Sequence, residues 1–349
     1  MKRIFLYSTL ALSVILSACK QTEVEDPEDQ TQTGTEDVIP TPDSEEEKQA
    51  EEATAFMSAP VAFSGSFVEV SSAMLQTANT QKNAPQPDNG ATPYPIVTWT
   101  PQDGTWPITL TADYGTSGVV GSDGLEHTGV LTITATDKFE NQGSVITPVL
   151  DKFYVYGNTM SGKQVITNKG KNERGNLVYE VKVDDGIVGE DELFVYSENT
   201  LRELVRGLQE DGTPSRDITS HQYSITGQMK GKSQNDSIPD FDVQISAENP
   251  MLIAVGDLYP SAGLLNVTFM PAWVIDMSGA AEETGMMFPN FSVEKLTLEF
   301  LGREESGPYN MEANIPISIG FMQQTVRLTF SVNADGIIPE SIKYEFVQE

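Results

Sequence analysis

The sequence predicts a mainly β protein, an antiparallel β-sandwich or pair of sandwiches behind an apolar leader, an acidic disordered tether and one or two short helices. Three observations predict it. From Pro95 onward Thr, Val, Ile, Phe and Tyr recur with period two between Gly, Asn and Asp clusters. Near the end the alternation is one-faced: Ile315, Ile317, Ile319 and Phe321 share a side, as do Val326, Leu328, Phe330 and Val332, and Ile342, Tyr344 and Phe346. Antiparallel sheets with one wet side require that pattern. Before residue 55, by contrast, a long run holds almost no apolar side chains and cannot offset its ordering entropy.

The chain opens with Lys2 and Arg3, then an apolar run from Ile4 to Leu16, too short to span a bilayer well. Ser17 and Ala18 follow, and then Cys19, the only cysteine. Leu16-Ser17-Ala18-Cys19 resembles the lipobox of bacterial lipoproteins. The alternative is an ordinary signal peptide with a cysteine by coincidence. The resemblance implies a signal peptide over 1–18 and a thiol at Cys19 that carries a diacylglyceryl group, with the new amino terminus acylated by a chain such as palmitate. At about 0.8 kcal/mol per buried CH₂, two or three chains hold a protein on a membrane without a helix. The expected address is the outer membrane, on the periplasmic face or at the cell surface. With no second cysteine, a disulfide within the chain is excluded.

Residues 19–54 form the lipidated cysteine and acidic tether, rich in Glu, Asp, Thr and Pro. About 35 residues of coil span roughly 35 Å, and roughly 115 Å pulled out. Acidic residues after a lipidated cysteine resemble the surface-export signal of Bacteroidota lipoproteins, although Lys20-Gln21-Thr22 precedes Glu23 here. A solvated spacer in the periplasm is the other reading. Residues 55–93 are expected as short helices and linker. Ser44 with Glu47 fits a capping box for a helix over about 45–57. Phe67, Val70, Met74 and Leu75 mark one side of a second, over about 65–79, where Val68 and Val70 equally suit the start of a strand.

Strands are expected over 106–114, 128–136, 144–156, 161–168, 176–183, 191–197, 221–230 and 239–247, within a β-rich domain over 94–249. A second unit over 250–349, or a continuation of the first, holds 250–255, 263–270, 291–300, 312–321, 324–332 and 340–347. The slip in pattern between Val293 and Leu296 predicts a bulge. Residues 199–208 fit a helical stripe through Leu201, Leu204, Val205 and Leu208, but their shortness between hairpins favours a strand.

The stretches WPITLTADYG (106–115), GSDGLEHTGVLTITATD (121–137), 143–186 and YSITGQMKG (223–231) resemble, in order, a group of uncharacterised Bacteroidota lipoproteins. The matching residues are turn formers and alternating apolar positions. The resemblance therefore implies a fold and an address and no activity. Val119 and Val120 stand where members often carry a cysteine, and the C-terminal third matches poorly.

Few residues suggest chemistry. Gly157 to Lys163 nearly spells a phosphate-binding loop, but Gln164 stands in place of the Ser or Thr that ligands magnesium, and strands flank it where a helix is needed. His127 and His221, the two histidines, lie at expected strand ends and are read as solvent-exposed. No Gly-x-Ser-x-Gly elbow marks a nucleophile. The acid pairs Asp184-Asp185, Glu190-Asp191-Glu192, Glu282-Glu283 and Glu304-Glu305 would serve a glycosidase only if two carboxylates converged about 5–9 Å apart across a cleft. Adjacent acids in turns usually point apart into water. Asp123, or Asp184 and Asp185 with Glu190 and Asp191, offer hard oxygens to calcium without EF-hand spacing, so metal binding stays open. Trp106 is expected in the core. Trp273, Met277, Met286, Met287 and Phe288, with Met270, gather adaptable apolar side chains where strand signal is poor; they either cap the core or form a ligand surface.

A net charge of −30, from 21 basic and 51 acidic residues, argues against nucleic acid as a partner. The expectation is a membrane-anchored, non-enzymatic module without a cofactor that binds a glycan or protein. A carbohydrate-active hydrolase and a fimbrial or other surface subunit are the alternatives.

Overall fold

A computed structural model describes residues 63–75 and 95–347, apart from 123, 156–157, 190–193, 235–237, 258, 276–290, 304–306, 320–321 and 334–335. Cys19, the acidic tether and the helix expected over 45–57 lie outside the described residues. The protein is mainly β and antiparallel, with one described α-helix, α1, over residues 63–75.

The strands are β1 (Ile96–Thr100), β2 (Ile108–Asp113), β3 (Val119–Val120), β4 (Glu126–Ala135), β5 (Val145–Val155), β6 (Asn158–Lys171), β7 (Leu177–Val188) and β8 (Phe194–Arg206). A 3₁₀ turn, Ile218–Ser220, leads into β9 (Gln222–Ser233). Then come β10 (Asp240–Ile245), β11 (Met251–Ala254), β12 (Gly263–Ile275), β13 (Phe291–Gly302), β14 (Tyr309–Ile319), β15 (Met322–Asn333) and β16 (Gly336–Val347). Of the segment 199–208, ambiguous by pattern, residues 199–206 are the second half of β8, and Leu208 makes only an isolated bridge to Pro214. Sequence reasoning missed the short β1 and β3.

All strands join one sixteen-stranded sheet in the order β1-β2-β4-β5-β6-β7-β8-β9-β10-β12-β13-β14-β15-β16, with β3 on β4 and β11 on β9. The ladder crosses residue 250 without a break, through the β10–β12 pairing. The slip expected near Val293 is a register shift between Ser292 and Thr297. Three exposed turns are each built on an aspartate. Asp103, Asp211 and Asp217 each accept from the backbone N–H and the hydroxyl of the Thr two residues on. These are Asx turns, in which the side chain does what a backbone carbonyl would do.

The sheet curls around α1. Side chains of Tyr114, just after β2, and of β4 meet Glu69 on the helix, while β7, β8 and β9 meet Phe67. In a flat sheet β4 and β9 would stand five strand spacings apart, about 24 Å. A helix with its side chains is only about 10–12 Å wide, so both reach it only if the sheet wraps.

That wrapping explains the composition of α1. Phe63, Phe67, Val70, Met74 and Leu75 are buried, as the one-sided stripe requires, but so are Ser66, Glu69, Ser71 and Ser72. Buried hydroxyls need partners, and the helix supplies them: Ser66 Oγ donates to the Phe63 carbonyl and Ser71 Oγ to that of Val68, each at 2.8 Å. The second short helix, expected over about 65–79, is described over 63–75 and shares one apolar cluster with the sheet.

Candidate functional site

The densest polar chemistry among the described residues lies inside the curled sheet, around α1. At one end, Glu69 accepts a hydrogen bond from the Tyr114 hydroxyl, and His127 Nε2 stands 3.8 Å from Glu69 Oε1. Phe153 stacks on the imidazole with ring centroids 5.6 Å apart and meets Tyr114 edge-on at 5.3 Å. The hairpin before β4 closes this end. A Cβ on Gly121 would lie 2.4 Å from the His127 ring and 2.7 Å from Glu69 Oε1, so only glycine lets the backbone approach so closely. Beside it, the Ser122 and Ser72 hydroxyls are 2.7 Å apart, pinning the hairpin to the helix.

At the other end, β8 turns Tyr196, Glu198, Thr200, Arg202 and Leu204 inward at alternate positions, all buried. Arg202 donates to Glu198 Oε1 at 2.8 Å and to Ser64 Oγ at 3.2 Å, and its guanidinium lies 4.5 Å above the Phe67 ring. Thr200 donates to the same Glu198 oxygen, and Phe63 stacks on Tyr196 with centroids 4.7 Å apart. Burial raises the Tyr179 and Tyr196 hydroxyls well above the ordinary phenol range and raises that of Tyr223, so all three stay neutral. Arg202 Nε, Gln164 Oε1 and the Tyr179 hydroxyl are buried without hydrogen-bond partners among the described residues.

The histidines correct an expectation. Both are fully buried rather than solvent-exposed. His127 points inward from β4. His221 caps the 3₁₀ turn, with Nε2 2.8 Å from the Ser215 carbonyl and Nδ1 3.2 Å from the Tyr223 hydroxyl. Burial lowers its pKa, against the opposing pull of the Ser215 carbonyl. Near it, Arg206, Gly207, Leu208, Gln209, Ser215, Thr219 and Ser220 line an open depression of about 490 Å³.

The other predicted residues are dispersed. Trp273 lies in β12, half-buried, with its ring 5.6 Å from that of Phe269, beside exposed Met270 and Val274. Met277, Met286, Met287 and Phe288 lie outside the described residues. Trp106 precedes β2 rather than lying in it, and is half-buried against the core. Asp184 and Asp185 are exposed on a bulge of β7, where Asp185 has φ +53°. Glu190 to Glu192, Glu282-Glu283, Glu304-Glu305 and Asp123 lie outside the described residues. Residues 158–163 of the near phosphate-binding loop open β6, a strand where that loop would need a helix. Among the described residues no three His, Cys, Asp or Glu side chains converge as metal ligands would.

Sequence reasoning missed Glu69, Tyr114, Glu198 and Arg202. The signal was parity: Glu198 and Arg202 share the alternate positions of Tyr196 and Leu204, and Glu69 sits within the apolar run Phe67-Val68-Glu69-Val70. No family model matches the chain, and searches of the curated proteins and of the solved structures return no match.

Proposed function

We propose that this chain is a lipid-anchored, non-enzymatic binding module of the outer membrane, attached through Cys19 and held off the bilayer by its acidic tether. Its resemblance to Bacteroidota lipoproteins supports the address. One structural observation carries the non-enzymatic reading: the interior of the curled sheet is occupied by the chain's own helix. The carboxylates there, Glu69 and Glu198, are 1% and 4% exposed and bonded to the chain's own tyrosine, threonine and arginine. A glycoside hydrolase needs two carboxylates that flank a bond in an accessible cleft. Ligand contact then falls to the outer surface. The Trp273 end of β12, with Met270 and Val274 exposed beside it, is the first place to test for a glycan or protein ligand. No helix among the described residues is long and apolar enough to cross a membrane.

The test pairs glycan-array binding with turnover assays on the same sugars. Retention of a glycan without cleavage supports the module, and Trp273→Ala should weaken that retention, with unchanged circular dichroism showing that the variant still folds. Cleavage of any sugar by the purified chain would overturn the proposal.

A further inference from the structure

The sheet's last strand is unfinished on both of its faces. On the inner face, Val326 and Leu328 of β15 are 8% and 3% exposed, but Phe346 and Tyr344, opposite them on β16, are 57% and 39% exposed. The apolar layer thus continues one strand beyond its cover. On the outer face, charges alternate across the last strands. Glu312 of β14 meets Arg327 of β15 at 3.4 Å, and Arg327 meets Glu345 of β16 at 2.6 Å. The row stops at the edge on an anion. Among the described residues nothing pairs with the far side of β16.

We propose that a second copy of this chain completes the sheet by antiparallel pairing of β16 with β16 about a two-fold axis through Tyr344. A two-fold axis perpendicular to the sheet keeps the inner faces of both copies on one side, so only residues of like parity can be opposed. Centred on Tyr344, the register places Lys343 opposite Glu345 of the partner, and Glu345 opposite the partner's Lys343. Each charge row then reads Glu312, Arg327, Glu345, Lys343, the last from the other copy. On the inner face the same register sets Tyr344 against Tyr344 and brings Ile342, at the end of the bulge in β16, beside Phe346, twice. Shifting the centre to Ile342 would oppose Lys343 to Ser341 and Glu345 to Pro339, losing every one of these pairs. Pro339 donates no backbone hydrogen bond, which confines pairing to the half of β16 after it. Unpaired backbone groups on an exposed edge supply the template, and self-complementary side chains select the copy. The pairing is independent of whether the module binds a glycan.

Charge reversal tests it. The full chain in detergent solution, followed by analytical ultracentrifugation, should be dimeric. Lys343→Glu opposes two glutamates at each pair, and Glu345→Lys opposes two lysines. Each variant alone should associate about tenfold more weakly. Mixed, the two variants restore both pairs and should form a heterodimer at wild-type strength. Unchanged circular dichroism in both variants shows that they fold. A monomeric wild-type chain, association of a different protein or chain segment with β16 in its place, or a dimer indifferent to both reversals would overturn the proposal.

Discussion

Glu198 and Arg202 lie four residues apart on β8, so a strand's period of two turns both inward, where neither meets water. Each is tolerable there only because of the other. Arg202→Met leaves a buried carboxylate unpaired and should cost about 3–5 kcal/mol in urea denaturation, whereas the double change to Met at both positions should recover most of that loss. Gly121→Ala should cost about 1–3 kcal/mol, because its methyl group enters space held by the His127 ring and Glu69. His221 gives a pH signature. Burial depresses its folded pKa below the ordinary 6.5, so the unfolded chain takes up a proton first as pH falls. Its contribution to stability is complete above about 6.5 and is lost as pH falls from there through the folded value. His221→Asn should flatten that part of the stability–pH curve measured by denaturant titration. Both histidines were misread as exposed because they sit near strand ends. Their parity with Leu131 and Ile133, and with Tyr223 and Ile225, was the better guide, since strand geometry fixes a face before it fixes a boundary.

Helix α1 is the element on which the sheet depends. Phe67 meets Phe139, Tyr179 and Tyr223 by ring contact and Arg202 by its face. Phe67→Ala should therefore cost about 3–5 kcal/mol, more than any change on an exposed strand face, as read from the denaturation midpoint. The helix should also exchange its amide hydrogens together with β8, because neither keeps its surroundings when the other opens. Period two made the strands legible almost throughout, and the Phe67-Val70-Met74 stripe disclosed the helix. Its depth was hidden. A helix buried all round normally reads as apolar all round, but serines bonded back to their own carbonyls and a glutamate held by Tyr114 mimic a wet face. β1 escaped notice because five residues between loops give too few alternations. The edge charges of β16 were visible in the sequence, but their meaning required the register with β15.

At the scale of the molecule, one meandering sheet runs from the helix-filled end to an open edge at β16. Successive strands are neighbours nearly throughout, so local hairpins account for most of the topology. What local pattern does not carry is curvature. It follows from the demand of one amphipathic ribbon to bury its inner face, and the helix sets where that face closes. In the proposed account the anchor lies at the far end of the chain from the open edge, and the acidic stretch between anchor and helix lets the folded part work away from the bilayer. The most direct measurement of that account is radiolabelled palmitate incorporation with membrane fractionation of the wild-type chain and of Cys19→Ala. The account predicts label and membrane association in the wild type, and in the variant loss of both with the fold intact. A variant that remains labelled, or as membrane-bound as the wild type, would contradict it.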